Sequence, residues 1–145
     1  METKQIYPCL WFDNNARAAA DFYCSVFSNA RITEENPMVV SFEINGTRFI
    51  ALNGGPGYTH SPAVSFVVAC ETQAEIDYYW ERLGARGKYN RCGWLTDEYG
   101  ISWQIVPTIL SELLAQPEKR QRVTAAFLQM EKFDIKTLLN AGNGL

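Results

Sequence analysis

The sequence predicts an α+β protein made of two similar β-α-β-β-β modules followed by C-terminal helices. Each module starts with a β-rich run that leads into a helical pattern, once from Ile6 and again from Ala63. The motif Asp21-Phe22-Tyr23 reappears as Asp77-Tyr78-Tyr79, and Asn45-Gly46 is answered by Tyr99-Gly100. The offset of about 54 to 56 residues between these matches indicates a duplicated supersecondary unit.

The first module is expected to contain a strand, a helix and three further strands. Ile6–Phe12 is rich in β-forming residues, and the turn Asp13-Asn14-Asn15 is expected to supply the N-cap of the helix. A weaker strand around Arg31–Thr33 comes next. Two more strands, 38–44 and 48–53, are joined by Asn45-Gly46, a dipeptide that readily adopts the positive φ angles of a tight hairpin.

The second module repeats this order after a stretch rich in glycine and proline. Ala63–Cys70 predicts a strand, and Thr72 with Glu75 forms a capping box at the start of a helix that ends at Gly84. The runs that predict the following hairpin are Arg91–Leu95 and Ile101–Val106. Helical periodicity resumes beyond Pro107, and these helices need a surface to cover.

Length and composition favour one globular domain. Residues 1–145 are expected to form it, with module one at about 4–54, a linker at about 54–62, module two at about 63–107 and a helical tail at about 108–140. The net charge of −3 and the lack of a dense basic run argue against a nucleic-acid partner. No run is apolar enough for a membrane span, no signal peptide is seen, and the four cysteines are too dispersed for a disulfide or zinc framework. We therefore expect a cytoplasmic protein with no membrane partner.

Four motifs, in order, resemble a known family. They are WFDNNARAAADFYCSVF, FIALNGG, CGWLTDEYGISWQIVP and LQMEKFDI. Together they are similar to the PhnB-like branch of the vicinal-oxygen-chelate (glyoxalase, bleomycin-resistance and dioxygenase) superfamily, a branch often labelled 3-demethylubiquinone-9 3-methyltransferase-like. The resemblance implies glyoxalase-like modules whose mixed sheets curl around a cleft, and a homodimer. The superfamily includes metal-dependent enzymes and metal-free proteins that sequester a small molecule, so fold alone does not choose a function.

The metal-using members of the superfamily take their ligands, usually His and Glu, from the first and last strand of each module. Carried over residue by residue, the resemblance places Tyr7, Ala51, Ser65 and Gln104 at the four ligand positions. A methyl group cannot bind a metal, and neutral hydroxyl and amide oxygens are weak donors. We therefore expect no metal and no other cofactor.

The residues that remain at the predicted cleft are aromatic, amide and hydroxyl side chains. The pocket candidates are Tyr7, Cys9, Trp11, Asn53, Ser65 and Gln104. Such a surface suits a flat, partly apolar ligand, although alternating aromatics in strands equally often fill a core. His60, the only histidine, lies in the linker, where it is either a surface residue or a general base above the cleft.

Three functions stay open on the sequence. The first is a metal-free, homodimeric small-molecule-binding protein with an unidentified ligand. The second is an enzyme of the same superfamily, either a metal-dependent lyase or dioxygenase or the methyltransferase of the label. The third is a structural or regulatory interaction module that uses the C-terminal helices. The absent ligand set favours the first, and no catalytic residue is assigned.

Overall fold

The computed structural model describes residues 1–145, which form two compact units, Met1–His60 and Ser61–Leu145. Each unit contains one four-stranded mixed sheet and one helix from a β-α-β-β-β module, and the second unit also contains three C-terminal helices. The predicted α+β class with two repeated modules and a helical tail is confirmed.

The first unit follows the predicted order. Its elements are β1 (Cys9–Phe12), α1 (Ala16–Val26), β2 (Ala30–Glu35), β3 (Val39–Ile44) and β4 (Thr47–Asn53). The strands lie in the order β1-β4-β3-β2, with β1 parallel to β4 and the other pairs antiparallel.

The second unit has the same strand order. Its elements are β5 (Ser65–Cys70), α2 (Gln73–Gly84), β6 (Lys88–Tyr89), β7 (Trp94–Thr96), β8 (Ser102–Pro107), α3 (Ile109–Ala115), α4 (Pro117–Phe127) and α5 (Ile135–Gly142). The sheet order is β5-β8-β7-β6, with β5 parallel to β8. None of the five helices has the length and the apolar sequence that a membrane crossing requires.

Each sheet has one face against its helix and one face turned away from it, which we call the far face. In the first sheet, Leu10 and Phe12 are buried in register with Ala51 and Asn53, on the side where α1 packs. Cys9 and Trp11 lie in register with Ile50 and Leu52 on the far face, because successive strand residues point to opposite sides. In the second sheet, Trp103 and Ile105 face α2, and Ser102 and Gln104 lie on the far face.

The local predictions succeed where the signal is carried by neighbouring residues. Asn45 and Gly46 have φ angles of 48° and 82° and join β3 to β4 as predicted. The capping box of α2 is present, since the Thr72 side chain accepts from the Glu75 amide and the Glu75 carboxylate accepts from the Thr72 amide.

The turn supplies the N-cap of α1 as predicted, because Asn15 is the N-cap residue, but its side chain makes no cap hydrogen bond, and the Ala16 amide donates instead to Oδ1 of Asn53 at 2.9 Å. Two strand boundaries were wrong. Strand β1 begins at Cys9 rather than Ile6. Strand β7 begins at Trp94 rather than Arg91, because Cys92 and Gly93 have positive φ angles of 57° and 78° that end an extended backbone.

Candidate functional site

The far face of the first sheet holds three of the sequence-predicted pocket residues. Tyr7 lies just before β1, and the guanidinium carbon of Arg48 is 4.2 Å from the centre of its ring. Cys9 is exposed, and desolvation raises the pKa of its thiol above the ordinary value. The thiol is therefore mostly protonated at neutral pH and a weak nucleophile.

Trp11, the third of these residues, is enclosed by the segment that follows β4. Its indole Nε1 donates to the carbonyl oxygen of Gly55 at 2.8 Å, and the ring of Tyr58 meets it edge-on at 4.9 Å. A Cβ atom at Gly54 would lie 2.3 Å from the indole, so only glycine allows this close approach. The glycine-rich segment thus has a packing role in seating Trp11.

His60 also belongs to this arrangement. Its Nε2 lies 2.7 Å from the carbonyl oxygen of Trp11 and, because a carbonyl only accepts, Nε2 carries the proton. The imidazole also contacts the ring of Phe12. His60 therefore ties the end of the linker to β1, and the nitrogen used in this contact is a donor rather than a base.

Asn53 has a different place from the other candidates of the first unit. It lies in register with Phe12, on the side of the sheet where α1 packs. Its Oδ1 accepts from the Ala16 amide and its Nδ2 donates to the carbonyl oxygen of Pro37 at 3.1 Å. Both polar atoms of the amide are thus used to fix the start of α1 and the turn before β3.

The remaining two candidates, Ser65 and Gln104, are brought together on the far face of the second sheet. Nε2 of Gln104 donates to Oγ of Ser65 at 3.0 Å across the parallel pair of β5 and β8. This contact leaves the hydroxyl proton of Ser65 and the amide oxygen of Gln104 without a partner in the unit. Trp94 lies in register with Gln104 on the neighbouring strand β7, on the same face.

A cavity of about 250 Å³ adjoins this pair within the second unit. Its lining combines apolar surface with hydrogen-bond donors: Pro62, Asn90, Arg91, Trp94, Leu95, Thr96 and Ser102. Ser65 and Gln104 do not line it, but Ser65 is in register with Ser102, and Gln104 is two residues further along β8. A concave site with apolar walls and a few polar groups is what small-molecule binding requires.

Ser102 is the unusual residue of this cavity. Its side chain is 2% exposed, and its Oγ is the one buried side-chain polar atom in the chain with no hydrogen-bond partner. Leaving a hydroxyl buried and unpaired costs about 1 to 3 kcal/mol, so a group that persists in this state needs an explanation. Because this oxygen has no accessible surface, Ser102 lines the cavity with its other atoms.

Sequence reasoning missed Arg91, Trp94 and Ser102. A signal for Ser102 was available, because it lies two residues before Gln104 on one strand and must share its face. Trp94 required the hairpin register, which was placed from Arg91 rather than from Trp94. Arg91 was placed at the start of the predicted strand Arg91–Leu95 rather than in the loop before β7.

The segment between α4 and α5 fixes the loop that carries Arg91. The amides of Cys92 and Gly93 donate to the carbonyl oxygens of Met130 and Glu131 at 2.8 and 2.7 Å. A Cβ atom at Gly93 would lie 2.6 Å from the ring of Phe133, which is itself buried. The C-terminal tail therefore builds one wall of the second unit and packs against module two.

The four positions that the resemblance assigns to a divalent metal do not fit one. Ala51 is fully buried on the helix side of its sheet, so it presents neither a donor atom nor the right face. Ser65 and Gln104 are hydrogen-bonded to each other. No group of three or more His, Cys, Asp or Glu side chains comes together anywhere in the chain. Neutral hydroxyl and amide donors are a poor set for a catalytic divalent ion.

Two modules of this topology define the fold class of the protein, which is glyoxalase-like. The family model described as 3-demethylubiquinone-9 3-methyltransferase matches residues 4–106, and the chain belongs to that family. The three C-terminal helices lie outside the matched residues. A search of curated proteins gives no match.

Solved structures agree with this assignment. The chain is similar to a PhnB protein from Bacillus cereus, provisionally assigned as 3-demethylubiquinone-9 3-methyltransferase, with 29% identity, a TM-score of 0.65, and coverage of 72% of this chain and 100% of that one. A protein of Pseudomonas aeruginosa has the same fold, with 18% identity, a TM-score of 0.60 and coverage of 72% and 98%. So does a glyoxalase-related enzyme from Fulvimarina pelagi, with 13% identity, a TM-score of 0.54 and coverage of 74% and 91%.

Proposed function

We propose that this chain is a small-molecule-binding protein that works without a metal, and that its ligand occupies the cavity on the far face of the second sheet. The observation that carries the proposal is that cavity itself, whose wall combines the aromatic residue Trp94 with the polar residues Asn90, Arg91 and Thr96. An aromatic surface beside a few hydrogen-bonding groups is what a small-molecule site requires.

The chemistry of the carried-over ligand positions supports a role without metal. Ala51 supplies no donor, and Ser65 and Gln104 are neutral groups already paired with each other. The glycines after β4, which might suggest a nucleotide-binding loop for methyl transfer, are accounted for by the packing of Trp11. They also lead into turns rather than into a helix N-terminus, where a phosphate would bind.

We also propose that the protein is a homodimer. Strand β5 pairs within its sheet only with β8, so its other edge is unpaired there. Val64 and Val67, beside and on this strand, are 67% and 60% exposed. An exposed apolar edge strand is a site where a second chain can add. Sedimentation of the wild type and of Val67→Glu tests this, with a monomeric variant expected and an unchanged mass contradicting the proposed interface.

Elemental analysis of the purified protein, combined with thermal unfolding, tests binding without metal. We expect no stoichiometric metal and no change in Tm with nickel, zinc, manganese or iron. In EDTA, a small aromatic fragment at ten times its Kd should raise Tm by about 4 °C through mass action. One firmly bound ion per chain would contradict the proposal.

A pair of variants locates the fragment site. Trp94→Ala removes an aromatic wall of the cavity and should abolish the fragment-induced rise in Tm. Tyr58→Ala removes an exposed aromatic ring of the first unit and serves as the control, which should keep the rise. Equal loss in both variants would place binding outside the cavity.

A further inference from the structure

The charge of the cavity points to the class of its ligand. Its lining contains one cation, Arg91, and no acidic side chain. Arg91 takes part in none of the chain's ion pairs, so no carboxylate of the chain neutralises its charge. In a chain of net charge −3, a cavity with an unpaired guanidinium is a place where an anion is favoured.

The other polar groups of the cavity can act with Arg91. Asn90 adds an amide and Thr96 a hydroxyl to the same lining. A guanidinium carries only donors, and its planar fork matches the two oxygens of a carboxylate. The donors of Arg91 therefore favour a ligand that accepts hydrogen bonds and carries negative charge.

The apolar groups of the cavity define the rest of the ligand. Trp94 presents an aromatic surface, and Pro62 adds apolar wall. Indole rings favour flat partners that stack on them or meet them edge-on. A volume of about 250 Å³ suits one or two fused rings rather than a long chain or a nucleotide.

We infer that the ligand is a small aromatic acid, with its ring system against Trp94 and its carboxylate beside Arg91. This inference rests on the proposed function, because it specifies the ligand of the same cavity. Binding would place the negative charge of the acid at the guanidinium of Arg91.

The test uses naphthalene-2-carboxylate and its neutral isostere naphthalene-2-carboxamide, titrated calorimetrically into the full chain in EDTA. The acid should bind about tenfold more tightly than the amide, because hydrogen bonds to charged groups are the stronger ones. Arg91→Gln should remove this preference and leave the affinity for the amide unchanged. Arg86→Gln, which changes the same charge at an exposed position outside the cavity lining, should keep the preference.

The outcomes separate the ligand class from the proposed function. If the amide binds as tightly as the acid, and Arg91→Gln behaves like Arg86→Gln, the acid is the wrong class although the cavity binds small molecules. If neither probe binds in EDTA, both the ligand class and the proposed function are overturned. A preference that survives in Arg91→Gln and is lost in Arg86→Gln would overturn the role of Arg91 and place the anion elsewhere.

Discussion

The two modules share one strand order but differ in what covers the far face of each sheet. In the first unit, the chain after β4 turns back over Trp11, which Gly54, Gly55 and Tyr58 enclose. In the second unit, the far face beside Trp94 and Ser102 keeps a cavity. The two modules therefore differ in how the chain covers the far face of each sheet.

The difference comes from the path of the chain after the last strand of each module. The segment after β4 contains three glycines and can approach an indole closely. After β8 the chain enters α3, and at Met130–Phe133 it supports the loop before β7. The first connection covers Trp11, and the second builds a wall beside a cavity.

The largest effect is expected where the C-terminal tail contacts the second module. Phe133→Ala removes a fully enclosed ring that lies against Gly93, and we expect the free energy of unfolding to fall by about 4 kcal/mol. Chemical denaturation measures this. Leu128→Ala, in the same tail but half-exposed, should cost less than about 0.5 kcal/mol. Equal small losses would mean that the tail does not form the wall.

The hairpin of the second module is predicted to depend on one carboxylate, in contrast to the Asn45-Gly46 hairpin of the first. Asp97 is 3% exposed, its Oδ1 accepts from the amides of Tyr99 and Ile101, and its Oδ2 accepts from Nε1 of Trp103 at 2.9 Å. Asp97→Ala leaves these donors unpaired and should cost about 3 kcal/mol. Adding Trp103→Phe should restore part of this loss in a double-mutant cycle, and strict additivity would contradict the coupling.

Adding a methyl group beside Trp11 tests how the segment after β4 packs on the first sheet. In Gly54→Ala the new methyl would lie 2.3 Å from the indole, so Trp11 must move, and stability should fall by about 2 kcal/mol. Gly57→Ala is the matched control, because its Cβ would lie 4.0 Å from the same ring. If both variants unfold at the same denaturant concentration, Trp11 is not packed as described.

A smaller change in stability, of opposite sign, is expected in the second module. Ser102→Ala removes an unpaired buried hydroxyl and should raise the stability of the free protein by about 1 kcal/mol. The same variant should bind an aromatic acid with unchanged affinity, since the hydroxyl has no surface that a ligand in the cavity can reach. Ser111→Ala, at an exposed hydroxyl on α3, should change neither the stability nor the affinity for the acid. A destabilised Ser102→Ala would show that the hydroxyl has a structural partner.

The smallest expected difference between the two units is in the reactivity of their thiols. Burial, with a contribution from Glu75, raises the pKa of Cys70 to about 11, whereas Cys9 is exposed on the far face of the first sheet. At pH 8, Cys70 should hold about a hundredfold less thiolate than a thiol with a pKa of 9.0. Alkylation followed by peptide mass spectrometry should therefore modify Cys9 first, and faster labelling of native Cys70 would contradict the assigned burial.

The sequence was sufficient for the features that neighbouring residues encode. The capping box at Thr72 and Glu75, the Asn45-Gly46 hairpin and the module repeat could all be predicted. The side-chain hydrogen bond at the start of α1 could not, because it comes from Asn53, 37 residues further along the chain. The cavity was also missed, since Arg91 and Trp94 reach it only after Cys92 and Gly93 turn the chain with positive φ angles.

We propose that the second sheet binds a small molecule without metal. Amide and indole NMR shifts during a fragment titration in EDTA test this most directly. We predict that shifts concentrate at Arg91, Trp94 and Ser102, with little change around Cys9 and Trp11. Shifts confined to the first unit, or shifts that arise only after a divalent metal is added, would contradict the claim.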